Sequence, residues 1–271
     1  MFFQTLDDKL ECVGIYYDDD LFFDVDQFPN DITKTWKYSS FLKGLSDIEY
    51  ANLYLEGLPI EQVIPEYLKD DWDDVSDKIT AFKRSLLISK VDETENCFYD
   101  LVPKRFLIEF CRVKNSITKF VLDKYDRPKR YDFSLSVCKM LEDMSNRKLN
   151  LNKKKLKSYT DGQNNVLDLL RSKPYIRYNQ FGTVTGRLTT KKKSFHILTL
   201  KKDYRDIVEP VNSVFYEFDF NGAEARVLLG LLGKEQPSQD VHDFHRAKIF
   251  GGLLTREQCK TAFLRGFTAL E

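Results

Sequence analysis

The chain lacks any apolar run near the roughly 20 residues needed to span a bilayer. It also lacks a C-x-x-C pair. Its five cysteines, Cys12, Cys97, Cys111, Cys138 and Cys259, are scattered and odd in number. That excludes a disulfide or zinc framework and fits reduced thiols in a cytoplasm-like compartment. The N-terminus, Met1-Phe2-Phe3-Gln4, has no basic start and turns acidic at Asp7 and Asp8, so no secretory signal is expected. There is no internal repeat and no low-complexity tract. Net charge is also missing, with 42 basic and 42 acidic residues.

What is present is a composition able to build a core. Hydrophobic residues are 42% of 271 and charged residues 31%, enough for one large domain or two ordinary ones. The zero net charge hides an uneven distribution. Residues 1–30 carry eight acidic side chains and one basic, residues 145–157 six basic and none acidic, and residues 187–205 seven basic and one acidic. Clustered positive charge suits a phosphate backbone, or a solvated lysine-rich face. The acidic tracts at Asp18 to Asp20 and Asp70 to Asp74 read as solvated turns.

Glu11–Tyr17 and 21–25 are rich in β-branched and aromatic types and are split by three aspartates, a hairpin signal. Helical spacing runs from Lys34 to about Asp123, with Tyr125 to Lys129 as a linker and a further helix over Phe133 to Asn146. From Tyr175 to Leu188 the texture is that of strands and turns. Residues 211–220 hold five Val or Phe in ten and predict a buried strand. Helices follow over Ala223–Leu232 and Val241–Phe250. A last one starts after Thr255, which forms a capping box with Gln258.

Asp219 is expected at the end of that buried strand, where an ionised carboxylate needs compensation. It reads either as a cap for the next helix or as a metal ligand. His242 and His245 stand at i, i+3, but no third ligand stands near them. Four segments in order favour the ligand reading. They are Tyr178 to Thr190 (YNQFGTVTGRLTT), Asp219 to Arg226 (DFNGAEAR), Asp243 to Ala247 (DFHRA), and the pair Arg256 and Lys260 four apart on one helix. Together they resemble the palm and early fingers of a family A DNA polymerase, over about 85 residues.

The resemblance implies a DNA-directed DNA polymerase of a viral, phage style, working in the cytoplasm of an infected host. Its partners would be primer–template DNA and a deoxynucleoside triphosphate, with no membrane. Asp219 and the backbone of Phe220 would bind two Mg2+ ions. Glu224 would exclude a 2′-hydroxyl. His245, Arg256 and Lys260 would hold the nucleotide phosphates. Arg187, Lys191, Lys192 and Lys193 would meet DNA, and Arg226 would brace the palm near the primer end.

The chain departs from the family in three places. Ser194 to Leu200 replaces an amide-bearing segment, with His196 a substitute contact. Only about 25 residues separate Lys153 from Tyr178, too few for two long thumb helices. A second catalytic aspartate does not follow Asp219. The expectation is therefore the N-terminal portion of a split or truncated enzyme, with a second polymerase subunit supplying the rest of the fingers and palm. The alternative is a non-catalytic DNA-binding or replication-partner module.

In the N-terminal half, Phe3 to Asp8 (FQTLDD) and Phe110 to Lys114 (FCRVK) resemble two 3′→5′ exonuclease motifs. Gln4, Leu6 and Lys114 stand where acids belong, so no nuclease activity is expected. The expected fold class is α/β. A degenerate exonuclease-like (RNase H-like) domain over 1–125 would be followed by a linker and shortened thumb over 126–177. The first part of the palm would take 178–252, and the fingers would begin at 253–271.

Overall fold

β1 (Phe3–Asp8) and β2 (Glu11–Tyr17) pair antiparallel, with Phe3 opposite Tyr17 and Thr5 opposite Ile15. A bulge between Thr5 and Asp7 shifts the register beyond that point. β3 (Asp20–Phe22) adds to β2 through a two-residue loop. Asp18 and Asp19 there have φ of 47° and 65°. A tight hairpin needs positive φ at both loop positions, and aspartate tolerates it better than most residues. The loop is tied down because Arg112 Nε and Tyr16 Oη donate to Asp19 Oδ1 at 2.9 and 2.6 Å.

This computed structural model describes residues 1–8, 11–24, 27–29, 31–45, 47–92, 96–159, 172–192 and 194–268. Within them the chain is mixed α/β and divides into two units, Met1–Val211 and Asn212–Glu271. All five cysteines are free thiols. No helix of the described residues is long and apolar enough to cross a membrane.

The helical spacing expected from Lys34 onward is interrupted by two short parallel strands, β4 (Lys34–Thr35) and β5 (Glu49–Tyr50). Two residues are too few to imprint a period on sequence. Tertiary hydrogen bonds decide these strands instead. The amides of Thr33 and Lys34 donate to the Met1 carbonyl at 3.0 and 3.1 Å, and Phe2 bridges Lys34 in parallel. These strands form two small sheets, β1-β2-β3 and β4-β5, joined by the isolated Phe2–Lys34 bridge.

Helices cover these sheets. After the short α1 (Ala51–Tyr54) come α2 (Lys69–Ile88), α3 (Lys104–Lys124) and α4 (Tyr131–Ser145). α3 buries Phe106, Leu107, Phe110, Ile117 and Val121, a stripe at helical spacing. They share one core with Phe3, Leu6 and Ile15 of β1 and β2 and Leu53 of α1. α2 repeats an apolar period, yet Leu87 and Ile88 at its C-terminal end are 75% and 72% exposed. α4 is locked in by Tyr131, whose buried hydroxyl accepts from the Tyr50 amide at 2.9 Å. α5 (Lys153–Ser158) belongs to a second small core of Leu156, Phe195, Leu200 and Ile207.

β6 (Tyr178–Asn179) and β7 (Thr189–Thr190) form a two-residue antiparallel ladder. Gly182 lies in the turn between them. A Cβ there would stand 1.9 Å from Thr189 Oγ1, so only glycine fits.

The second unit holds α6 (Ala223–Leu231), α7 (Val241–Lys248) and α8 (Arg256–Thr268). The capping box is formed: the Thr255 amide donates to Gln258 Oε1 at 2.8 Å, and the Gln258 amide to Thr255 Oγ1 at 3.3 Å. The buried strand expected over 211–220 is absent. The segment has no strand pairing among the described residues and is exposed throughout. Phe218 is 92% and Phe220 84% exposed. β-propensity needs a neighbouring strand and a covering layer to become a strand, and neither is present among the described residues.

Candidate functional site

The second unit places five of the expected nucleotide and metal residues, Phe220 among them, around one cavity of about 380 Å³. Asp219, Glu224, Arg256 and Lys260 line it, with His242 and Phe263. Local structure explains this gathering. Gly222 has φ of +59° and sits at the N-cap of α6, turning the chain from the 219–221 segment into the helix. A Cβ on Gly222 would lie 2.2 Å from Val241 Cγ1, so the glycine also lets the starts of α6 and α7 approach. Glu224 then falls in the first turn of α6, where the helix dipole favours a carboxylate. Arg256 and Lys260 lie one turn apart on α8.

Asp219 is exposed rather than buried among aromatics. The desolvation argument for a compensating cation therefore does not hold in this chain. No group of three His, Cys, Asp or Glu able to hold a metal occurs among the described residues. Asp219 and the Phe220 backbone do not by themselves fit a two-magnesium centre, which needs several oxygen ligands per ion.

His245 does not reach the cavity. It is 2% exposed and stacks on Phe263 at 5.1 Å between ring centroids. Its Nδ1 has no hydrogen-bond partner. Burial, then the nearby His242, lowers its pKa below the ordinary 6.5, which disfavours the charged form a phosphate would want. The neighbour one turn earlier, His242, faces the cavity instead. The two rings lie 6.4 Å apart.

Arg226, expected to brace the palm near the primer end, is held within its own unit. Its guanidinium donates to the Asn221 and Pro237 carbonyls at 2.8 Å and to the Gln239 carbonyl at 3.0 Å. Those bonds occupy it, leaving little for a DNA phosphate. The residue that the sequence reasoning missed is Asp240. It caps α7 by accepting from the amides of His242 and Asp243 at 2.9 and 3.1 Å. It also accepts from Asn221 Nδ2, and from Arg256 Nη2 at 2.8 Å. Arg256 first, then Asn221 and the two amides, hold its carboxyl far below the usual carboxylate range. Asp240 thus fixes the direction of Arg256. The signal was available as an aspartate just before a helical run.

Arg187, in the connection between β6 and β7, and Lys191 and Lys192, just after β7, are exposed in the first unit. Lys193 lies outside the described residues. His196 is exposed, with Nδ1 3.5 Å from Thr190 Oγ1.

At the exonuclease-like positions, Gln4 is 1% exposed and Leu6 fully buried. Gln4 Nε2 donates to Asn115 Oδ1 at 2.9 Å and to Thr118 Oγ1 at 3.0 Å, joining β1 to α3. Lys114 lies one residue before Asn115. Burial, then Lys37, pushes its pKa down to about 8. Asp7 accepts from Thr5 Oγ1 at 2.6 Å and Ser39 Oγ at 3.1 Å, and Asp8 from the Phe98 amide at 2.7 Å. These carboxylates are used as structural acceptors. Cys12, beside Asp7, has its thiol pushed up to about 12 by burial and by that carboxylate. Comparison with protein-family models, curated proteins and solved structures gives no match.

Proposed function

We propose that the chain is part of a DNA-directed DNA polymerase resembling family A, contributing the nucleotide-binding side of a palm and early fingers. The observation that carries this reading is the single cavity lined by Asp219, Glu224, Arg256 and Lys260. Two of the four motifs, Asp219 to Arg226 and the Arg256–Lys260 pair, converge there. In this reading Lys260 holds a phosphate, Asp240 aims Arg256 at another, and Glu224 stands where a ribose 2′-hydroxyl would fall. Catalysis requires a complementing polypeptide that adds carboxylates beside Asp219 and pairs with the exposed 211–220 segment.

In this reading the first domain is exonuclease-like, because Phe3 to Asp8 and Phe110 to Lys114, the two segments with that resemblance, pack together as β1 and α3 in one core. The hydrogen bonds of Gln4 to Asn115 and Thr118 support a dead one. A second reading, a non-catalytic DNA-binding module, is favoured by the lone carboxylate at Asp219. The two readings differ in nucleotide binding. Titration with a fluorescent deoxyadenosine triphosphate, in magnesium buffer with primer–template DNA, should give saturable binding. Lys260→Ala should weaken it about tenfold, the low end for a charge-assisted bond. Glu224→Ala should bring competition by ATP closer to that by dATP. Binding indifferent to Lys260→Ala sinks the polymerase reading, and full primer extension by this chain alone sinks the need for a complement.

A further inference from the structure

A separate cavity of about 290 Å³ lies wholly in the first unit. Lys37, Arg177, Lys191 and Glu142 line it, with the rings of Tyr178 and Phe181. Arg177 and Lys191 extend the β6–β7 ladder by one step, the Lys191 amide donating to the Arg177 carbonyl at 2.8 Å. Two like charges directly opposite on a ladder repel. Lys37, just after β4, adds a third. None of the three makes an ion pair within 4 Å among the described residues.

Glu142, on α4, is the one carboxylate among them. Burial raises its pKa, Lys37 and Lys191 lower it, Asp7 raises it and Arg177 lowers it; the three cations line the cavity with it, whereas Asp7 does not. One carboxylate does not balance three cations, and the wall is left net positive. Asn52 also lines the cavity, and its Oδ1 is buried with no hydrogen-bond partner. Such an acceptor calls for a donor, which a base N–H or a water supplies and a phosphate does not. The frame is rigid. Gln180 Nε2 donates to the Ser134 carbonyl of α4 at 2.9 Å, and the Arg177 amide to Ser194 Oγ at 2.8 Å.

We infer that this cavity is a subsite for single-stranded nucleic acid, with one backbone phosphate held by Lys37, Arg177 and Lys191 and a base against Tyr178 or Phe181. Cations interleaved with aromatic faces are the composition such sites need: charge tracks the backbone, and rings stack bases without sequence preference. Lys191 is among the residues that the polymerase resemblance turns toward DNA, so the subsite rests on that reading; it shares no residue with the Asp219 cavity, and nucleotide binding there tests the two apart.

The test is anisotropy of a fluorescein-labelled oligothymidylate titrated with the full chain at several salt concentrations. Lys37→Ala and Arg177→Ala should each weaken binding by about fivefold, as for a partly screened pair. Each should also reduce the slope of log K against log salt by about 0.7. Glu142→Gln should act the other way and tighten binding, an effect that loss of structure does not produce. Unchanged affinity and slope in Lys37→Ala and Arg177→Ala, or no tightening in Glu142→Gln, would mean that the cations serve only Glu142 and overturn the proposal. Thymidine monophosphate competing as well as the oligomer, per phosphate, would assign the site to a free nucleotide and overturn the strand assignment.

Discussion

Removing the Asp240 carboxylate should loosen the second unit locally and misdirect Arg256. The side chain is 21% exposed and accepts four hydrogen bonds. Losing a helix N-cap costs about 1 kcal/mol, and losing the bond from Asn221 about another 1 kcal/mol. The Arg256 pair is screened by solvent and adds little. Asp240→Ala should therefore cost about 2 kcal/mol, or roughly a 30-fold rise in the opening equilibrium of α7. Asp240→Asn keeps the oxygen that caps the His242 and Asp243 amides, and asparagine caps as well as aspartate. Its amide NH2 cannot accept from Asn221, so about 1 kcal/mol is lost and the effect should be about fivefold. Tryptophan fluorescence cannot report this, because Trp36 and Trp72 both lie in the first unit. Hydrogen exchange read by mass spectrometry on peptides covering 238–250 can. The reasoning fails if the alanine and asparagine variants exchange alike, since capping would then contribute nothing. It fails equally if neither differs from the parent.

Ile117 is fully buried in the face of α3. Ile117→Ala should cost about 2–5 kcal/mol in urea unfolding followed by tryptophan fluorescence, since Trp36 and Trp72 pack on that core; a loss below about 1 kcal/mol would refute this placement of the core. Acid should destabilise the second unit in two steps. His245 is depressed below 6.5, so the unfolded chain binds protons first and stability declines as pH falls through about 6.5 toward the folded value. Asp240 is depressed below 3.8, so its contribution is complete above that value and disappears as pH falls through the folded one. Exchange in 238–250, corrected for intrinsic rates, should show both phases, and His245→Phe should remove only the upper one. Gln4→Glu should restore an acid to the first exonuclease-like motif without restoring nuclease activity, because Asn115 and Thr118 hold the site closed. It should also lower stability more at pH 8 than at pH 5, as a buried carboxylate must be charged at the higher value; metal-dependent release of nucleotides by this variant would contradict a structural role for Gln4.

The elements with long periods were legible. The α3 stripe, the α4 helix, the Asp18–Asp19 hairpin and the capping box at Thr255 follow from local chemistry, and each forms where the residues call for it. β4 and β5 were not legible, because two-residue strands are chosen by the Met1 and Thr33 carbonyls rather than by their own side chains. The same division holds at the site. Motif order named Asp219, Glu224, Arg256 and Lys260, and those share a cavity. Motif order also named His245 rather than His242. Which of two histidines three residues apart faces the cavity depends on the rotation of α7, which Val241 and Asp240 set by packing and capping. A pattern of residue types carries no record of that angle.

The 211–220 segment exposes the limit of reading burial from composition. Val214, Phe215, Tyr216, Phe218 and Phe220 are apolar enough for a sheet interior, yet all are exposed. A strand hides its faces only where another strand completes the ladder, and an exposed apolar edge invites pairing with another chain. Asp219 rides on this segment, so its position is no better fixed than the segment itself. Under the proposed function, one missing element accounts both for the unburied aromatics and for the solitary carboxylate. The two are then linked: amides over 213–219 should exchange within seconds in this chain alone and become protected by the same complement that restores primer extension. Protection there in the isolated chain would show a partner already within it, and Asp219 would need no second polypeptide to hold it in place.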